Sequence, residues 1–447
     1  MIARRLNLEK YRELLEERSA LVVQGRVSQV VGLLIEVEGL KLGIGDICQI
    51  VPERGRSWIS AEVVGFRDDR LIVTPFADVE GVRPGSIVLP RSRGFTVPVG
   101  EALWGRVLDG LGRPIDGLGP LGPTDHYPVA SRPPDPLSRA PIRTPLCTGV
   151  RAIDGMLTCG MGQRVGIFAG SGVGKSTLMG MIARNAESDV NVIALVGERG
   201  REVQEFIEHD LGPQGLARSV VIVATSDQPA LQRIKAAWVA TAVAEFFRDQ
   251  GKHVTLMMDS VTRWAMALRE VGLTVGEPPV VKGYPPSVFA FLPKLLERAG
   301  TSDRGTITGF YTVLVEGDDL TEPIADAARS ILDGHIWLTR KLAHEAHYPS
   351  IDLLVSVSRL MTHLATPEHL HVAHQLREAL ASYRTSEDLI NIGAYVAGAN
   401  PALDRALGAM PQINAFLKQP AEESTPFEET IGRLLSIFPE EVISGAL

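Results

Sequence analysis

Apolar and polar residues change rhythm several times along this chain of 447 residues. In residues 1 to about 18, Leu8, Tyr11, Leu14 and Leu15 recur at three- and four-residue intervals, and Glu9, Lys10, Arg12, Glu13 and Glu16 fall on the other faces. That spacing predicts one amphipathic helix within 1–20, either docked on its own domain or reserved for a partner. From Leu21 to about 95 the period shortens to two. VVQGRVSQVVGLLIEVEG, DICQIV, SAEVVGFRDDRLIVTPF and GSIVLP alternate apolar and polar positions, broken by Gly, Asp and Pro, and predict a small closed β-barrel. Residues 105 to 145 are dominated by Pro and Gly and read as a linker that wraps. The apolar runs VGIFA, VNVIALVG, SVVIVAT, HVTLMMD, TITGFYTVLV and HIWLT follow, separated by helical stretches such as Pro229 to Gln250. Continuous apolar strands between helices predict a mostly parallel sheet covered on both faces. From about Thr366 the pattern is helical throughout, with one Gly-rich turn. The expected architecture is therefore an α/β core at 96–365, preceded by a barrel at 21–95 and followed by a helical domain at 366–447.

Ligands of parallel sheets sit beyond the carboxyl ends of the strands, so the residues after each apolar run are the ones to inspect. The first such segment is Phe168-Ala-Gly-Ser-Gly-Val-Gly-Lys-Ser-Thr177, placed between a strand pattern and the helical pattern Leu178 to Ala186. This is the context of a P-loop. Gly170, Gly172 and Gly174 let successive backbone N–H groups turn inward around phosphate oxygens, with Ser171 and Val173 between them. Lys175 supplies a charge for the β- and γ-phosphates, Ser176 offers a hydroxyl to Mg²⁺, and Thr177 continues a helix whose positive end faces the same anion. The strict pattern opens with Gly where this chain has Ala169, a difference of one methyl group. ATP with Mg²⁺ is the expected ligand.

Two acids end neighbouring apolar runs. Asp259 closes Val254 to Met258 and is either a second Mg²⁺ anchor or the N-cap of the helix that follows. Glu198 follows Val192 to Val196 and is either the group that deprotonates an attacking water or the partner of Arg199 or Arg201 in a surface ion pair. Arg359, after the run Ile351 to Val357, has the side chain of a transition-state arginine, with a structural arginine as the alternative. Tyr348 and Phe416 could stack on adenine or fill the core. His369, His371 and His374 do not share one helical face, so no metal site is expected from them.

Composition narrows the functional classes. A net charge of −8 gives no global attraction to nucleic acid. Three widely spaced cysteines (Cys48, Cys147 and Cys159) form neither a disulfide framework nor a zinc pattern and suggest a reducing compartment. The N-terminus lacks the apolar core of a signal peptide, and no run of about 18 apolar residues occurs. A soluble, cytoplasmic protein is expected.

Taken together, GSGVGKST, GERGREVQEFIE, LMMDSVTR, GEPPVVKGYPPSVF and YPSIDLLVSVSRLM resemble the type III secretion ATPases, a branch of the rotary ATP synthase catalytic subunits. Nearly the whole chain is covered. FAGSGVGKSTLMGMIAR, VATSDQPAL, EPIADAARSILDGHI and SEDLINIGAY point to the flagellar protein export members. The resemblance implies a homohexamer of RecA-like domains with ATP bound between subunits. By motif match, Lys175 and Ser176 would bind phosphates and Mg²⁺, Glu198 would be the catalytic base and Arg199 would lie beside the phosphates. Asp259 would be the Walker B acid, Arg359 a finger from the next subunit, and Tyr348 and Phe416 the adenine border. It further implies a motor, peripheral to the inner face of the cytoplasmic membrane, that passes export substrates and chaperones to a membrane export gate. A dimeric negative regulator would bind the N-terminal helix. Alternatives are the ATPase of a non-flagellar injectisome, a non-catalytic assembly subunit that would lack the acid at Glu198, and a nucleic-acid translocase, against which the acidic balance weighs.

Overall fold

The computed structural model describes residues 23–52, 57–92, 94–315 and 322–438. The helix expected within 1–20 lies outside them. The chain separates after Phe95 into two compact units.

The first unit is built from strands β1 (Gly25–Val31), β2 (Leu34–Glu38), β3 (Ile47–Val51), β4 (Ile59–Arg67), β5 (Arg70–Pro75) and β6 (Ile87–Ser92). They close into a barrel in the order β1-β2-β5-β4-β3-β6, every pair antiparallel. The period-two pattern explains it: Val27, Ile35, Val37, Cys48, Ile50, Ala61, Val63, Val73 and Val88 turn inward and form one core.

The second unit is organised on a sheet of β7 (Val107–Asp109), β8 (Arg164–Ala169), β9 (Val190–Val196), β10 (Ser219–Ala224), β11 (His253–Asp259), β12 (Thr306–Leu314), β13 (Gly334–Leu338) and β14 (Val357–Ser358). Their order is β14-β13-β8-β12-β11-β9-β10-β7, parallel except at the β14 edge, with the short strand Gly300–Thr301 antiparallel beside β12. All six apolar runs read from the sequence are strands here. Two segments depart from the expectation. The Pro/Gly-rich stretch read as a linker contributes β7, whose Leu108 is fully buried against the sheet edge. Three residues between glycines and prolines carry too little periodicity to announce a strand. Conversely, Ile351 to Val357 is mostly turn: Asp352 accepts from the Leu354 N–H at 3.0 Å, Ile351 makes a single antiparallel bridge to Leu338, and Val357 and Ser358 pair with the start of β13.

Helix α1 (Lys175–Asn185) follows β8, α2 (Ala230–Asp249) precedes β11 and α3 (Val261–Val275) follows it. Three C-terminal helices, Pro367–Asn391, Pro401–Leu417 and Phe427–Leu435, pack with the short helix Arg151–Met156. Thr366 and Asn400 cap the first two through their side-chain oxygens. Arg151 ties the layers together by donating to the carbonyls of Phe416 (2.9 Å) and Lys418 (2.6 Å). Among the described residues no helix is long and apolar enough to cross a membrane.

Glu245 of α2 and Arg298 form a fully buried ion pair with contacts of 2.8 and 2.5 Å, and Arg298 also donates to the Val129 carbonyl. Removing one partner strands the other charge in the core. Arg298→Ala should therefore cost about 3–5 kcal/mol. Replacing both residues by apolar ones of similar volume should cost much less, as read from urea unfolding midpoints of the two variants.

Candidate active site

The parallel order brings the ends of β8, β12, β11 and β9 side by side, and the chemistry-bearing residues gather there. β8 ends at Ala169, the glycine loop follows, and α1 begins at Lys175. Gly172 and Gly174 have φ of +78° and +87°, a region closed to most side-chain-bearing residues. The Val173 side chain between them is buried, and its carbonyl accepts from Ser350 Oγ at 2.6 Å. The loop is thus fastened at its middle while Ser171 and Gly172 stay exposed. The N–H groups of the first turn of α1 have no intrahelical partners and face the loop, as anion binding requires.

Lys175 Nζ is paired with Asp259 Oδ1 and lies 3.5 Å from Glu198 Oε1. Asp259 is the last residue of β11 and is paired in register with Leu195 of β9; Glu198 lies two residues past β9. Both carboxylates are buried, 4% and 7% exposed, which distinguishes this cluster from a surface ion pair. Capping falls to Ser260, whose Oγ accepts from the Arg263 N–H at 3.3 Å, so Asp259 is free for Lys175. Glu198 makes neither surface pair considered for it. Arg199 is exposed and pairs with Glu202 at 3.0 Å, and Arg201 pairs with Glu205. Arg199 therefore stands apart from the carboxylate cluster, at the solvent side.

The second cation on Glu198 is instead Arg263, a residue the sequence reading passed over. Its Nε lies 3.3 Å from Glu198 Oε1, and its Nη1 donates to the Gly197 carbonyl at 2.8 Å. A signal was present: a cation at the third position of α3 runs against the helix dipole, an arrangement that needs a compensating anion. Gly197 makes the approach possible, since its φ is +74° and an added Cβ would lie 2.9 Å from the Arg263 side chain.

Burial, and then the neighbouring Asp259 charge, push the Glu198 carboxyl up to about 7, with Lys175 opposing. Burial works against the Lys175 ammonium, but Asp259 and Glu198 together hold its pKa above the ordinary lysine value. A carboxylate poised near neutrality beside a phosphate loop has the properties of a general base. Glu198 Oε1 is buried between two cations, Lys175 Nζ at 3.5 Å and Arg263 Nε at 3.3 Å, neither in hydrogen-bonding geometry. Mg²⁺ takes oxygen ligands, commonly one or two carboxylates, waters and substrate phosphates. Asp259 and the Ser176 hydroxyl at the start of α1 fit that chemistry.

Tyr348 is 47% exposed and flanks the loop: a Cβ added at Gly174 would lie 3.6 Å from its ring. Phe416 sits near the end of the helix Pro401–Leu417. It is 5% exposed, with its ring tip against Gly155 in the packing of the C-terminal helices. His369 is buried with its ring nitrogen 2.6 Å from the Gly155 carbonyl. Among the described residues no group of three or more His, Cys, Asp or Glu is arranged to hold a metal by itself.

Arg359 is exposed and lies just past the β14 edge strand. Its N–H donates to the Asp333 carbonyl at 3.0 Å, and the preceding Ser358 pairs with Gly334, the first residue of β13. The P-loop instead follows Ala169, which pairs with Leu338, the last residue of β13. Four residues of strand separate those levels, about 13 Å at 3.3 Å per residue, more than an arginine side chain spans.

Three family models match the chain: the ATP synthase alpha/beta family β-barrel domain at residues 27–91, the nucleotide-binding domain of the same family at 149–358, and the T3SS EscN ATPase C-terminal domain at 365–436. The flagellum-specific ATP synthase of Bacillus subtilis is 55% identical over 421 residues, covering 93% of this chain and 95% of that protein. The type 3 secretion system ATPase of Xanthomonas euvesicatoria is 49% identical over 413 residues, with 92% and 93% covered. The assembled ATPase EscN of the enteropathogenic E. coli type III secretion system superposes with a TM-score of 0.88 at 48% identity, over 92% of this chain and 99% of that one. EscN has also been solved in complex with its central stalk EscO, and that structure matches with a TM-score of 0.86 at 47% identity, over the same shares of the two chains. The chain belongs to the ATP synthase alpha/beta family, among its flagellum-specific and type III secretion ATPases.

Proposed function

We propose that this ATPase is a homohexameric motor that hydrolyses Mg²⁺-ATP to drive flagellar proteins and their chaperones into a type III export gate. The observation that carries the reading is the division of the site. Lys175, Glu198 and Asp259 converge at the carboxyl ends of the central strands, and Arg359 stands exposed past the β14 edge, level with the start of β13. A ring places the Arg359 edge of one subunit against the phosphate loop of the next and completes the constellation.

In this mechanism the loop N–H groups from Gly170 to Thr177 bind the phosphates. Lys175 leaves Asp259 for the β- and γ-phosphate oxygens. Ser176 and Asp259 would hold Mg²⁺, which would neutralise phosphate charge when bound. Glu198, aligned by Arg263, takes the proton of the attacking water, and Arg359 of the neighbouring subunit stabilises the charge that develops on the transferred phosphoryl group. Tyr348 borders the adenine. Arg199, solvent-facing in the isolated chain, reaches the phosphates only once the interface closes over it.

The assembled relative and its stalk complex support a ring with an axial partner. The N-terminal segment 1–20 would bind a dimeric regulator, and the motor would work at the cytoplasmic face of the membrane, with no nucleic-acid partner. The EscN-type C-terminal match favours a second reading, the ATPase of a non-flagellar injectisome with the same chemistry. Replacing Lys175 by Ala in the source cells tests both. The expected result is loss of flagellar filaments with filament and hook proteins retained inside. Normal filaments with a different set of secreted proteins missing would support the injectisome, and an unchanged phenotype would refute the export role.

A further inference from the structure

We infer that Thr312 is a positioning residue that holds the Asp259 carboxylate in its metal-facing orientation, an inference that rests on the Mg²⁺-ATP reading above. β12 lies between the P-loop strand β8 and the Asp259 strand β11. Thr312 pairs with Ile167 on one side, and on the other its predecessor Tyr311 pairs with Met258, which puts Thr312 level with Asp259. The Thr312 side chain is fully buried. Its Oγ1 donates to Asp259 Oδ1 at 2.7 Å, with the Met258 carbonyl more distant at 3.2 Å. A hydroxyl has one proton, and the shorter contact to a charged acceptor takes it.

Asp259 Oδ1 thus has two donors of different permanence. The Lys175 ammonium sits on a flexible stem and is needed elsewhere once phosphate enters. The Thr312 hydroxyl is fixed on a central strand and remains. When Lys175 departs, Thr312 keeps Oδ1 fixed, and the carboxylate would then be free to ligate Mg²⁺ through Oδ2. Without that bond the carboxylate is free to follow Lys175 and compete with the phosphates for it. Partners one step behind a metal ligand set its orientation in this way, and their loss costs about tenfold or more in metal affinity.

The test compares Thr312→Val, which keeps the shape, Thr312→Ala, which removes the hydroxyl without placing an added methyl against Asp259, and Thr312→Ser, which restores the hydroxyl. ATP affinity is measured by calorimetry in saturating Mg²⁺ and in EDTA, together with the Mg²⁺ concentration giving half-maximal turnover. In Val and Ala the half-saturating Mg²⁺ should rise about tenfold. The tightening of ATP binding by Mg²⁺ should shrink by a similar factor, with affinity in EDTA unchanged and Ser close to wild type. Equal weakening with and without Mg²⁺, or a Ser variant as impaired as Val, would reduce Thr312 to a packing residue and overturn the inference. So would a wild-type response to Mg²⁺ in both Val and Ala. A wild-type chain whose ATP binding ignores Mg²⁺ would instead overturn the metal reading itself.

Discussion

Arg359→Ala lowers ATP turnover by about 10³–10⁵-fold, the range lost when a transition-state arginine is removed, while each chain keeps its affinity for ATP. The expected result follows from the position of the side chain. Exposed and held at the start of β13, it touches nothing in its own phosphate loop. Mixing separates a trans arrangement from a cis one. Lys175→Ala chains supply an intact Arg359, and Arg359→Ala chains an intact Lys175. Assembled together, neighbours of opposite type form complete sites, and turnover recovers to a measurable fraction of wild type. If every mixture stays as inactive as the two parents, Arg359 acts within its own chain or not at all. Specific activity of the wild type should also rise with protein concentration as rings form.

Glu198→Gln should abolish turnover by about 10²–10⁴-fold while preserving ATP binding, since the amide fills the same space and accepts no proton from water. The pH profile carries a second signature. With the carboxyl pushed up to about 7 in the free protein, kcat/KM should fall about tenfold per pH unit below 7 and level off above it; in Glu198→Gln that acid limb should be absent. Stability should respond with a definite sign. The folded-state pKa is raised above the ordinary value of 4.5, so the protonated carboxyl is the form favoured by the fold. Stability from this group is present below about pH 4.5 and is lost as the pH rises to about 7. At pH 8 the Gln variant should be the more stable, by on the order of 2–3 kcal/mol, as measured by urea unfolding at pH 5 and pH 8. A constant difference between the two pH values would argue against the raised pKa.

What could be read from residues alone divides along physical lines. The six central strands were legible because strands buried on both faces must be apolar without interruption, and Gly172, Gly174 and Lys175 because phosphate binding by backbone leaves few alternatives in sequence. The barrel followed from strict alternation. Val107–Asp109 was hidden, since a three-residue edge strand shows no period and its neighbours are Gly and Pro. Glu198 and Asp259 were visible as acids at strand tips, but their use depended on burial and partners. Only the folded arrangement separates Glu198 beside Lys175 and Arg263 from a Glu198–Arg199 surface pair. Thr312 could not be singled out in an apolar run that holds three threonines, because its contact depends on which strand lies between β8 and β11. Phe416 also carried two readings in sequence. Its place in a short motif suggested a ligand contact, whereas the helix around it turns the ring toward Gly155.

The six residues of β8 join two features treated separately so far. One end opens into the phosphate loop. At the other end Arg164 grips the Asp333 carboxylate with contacts of 3.0 and 3.1 Å, and the Asp333 carbonyl holds the Arg359 N–H. A strand in the middle of a parallel sheet is a stiff strut, so the loop a subunit uses and the arginine it lends are mounted on one rigid body. In a closed ring, a tilt that seats the loop on nucleotide swings the arginine toward or away from the adjacent site by the same rotation. Timing between neighbouring sites would then be gearing, set by the angle of the sheet, and a flexible insertion in β8 would let the teeth slip while leaving each site chemically intact.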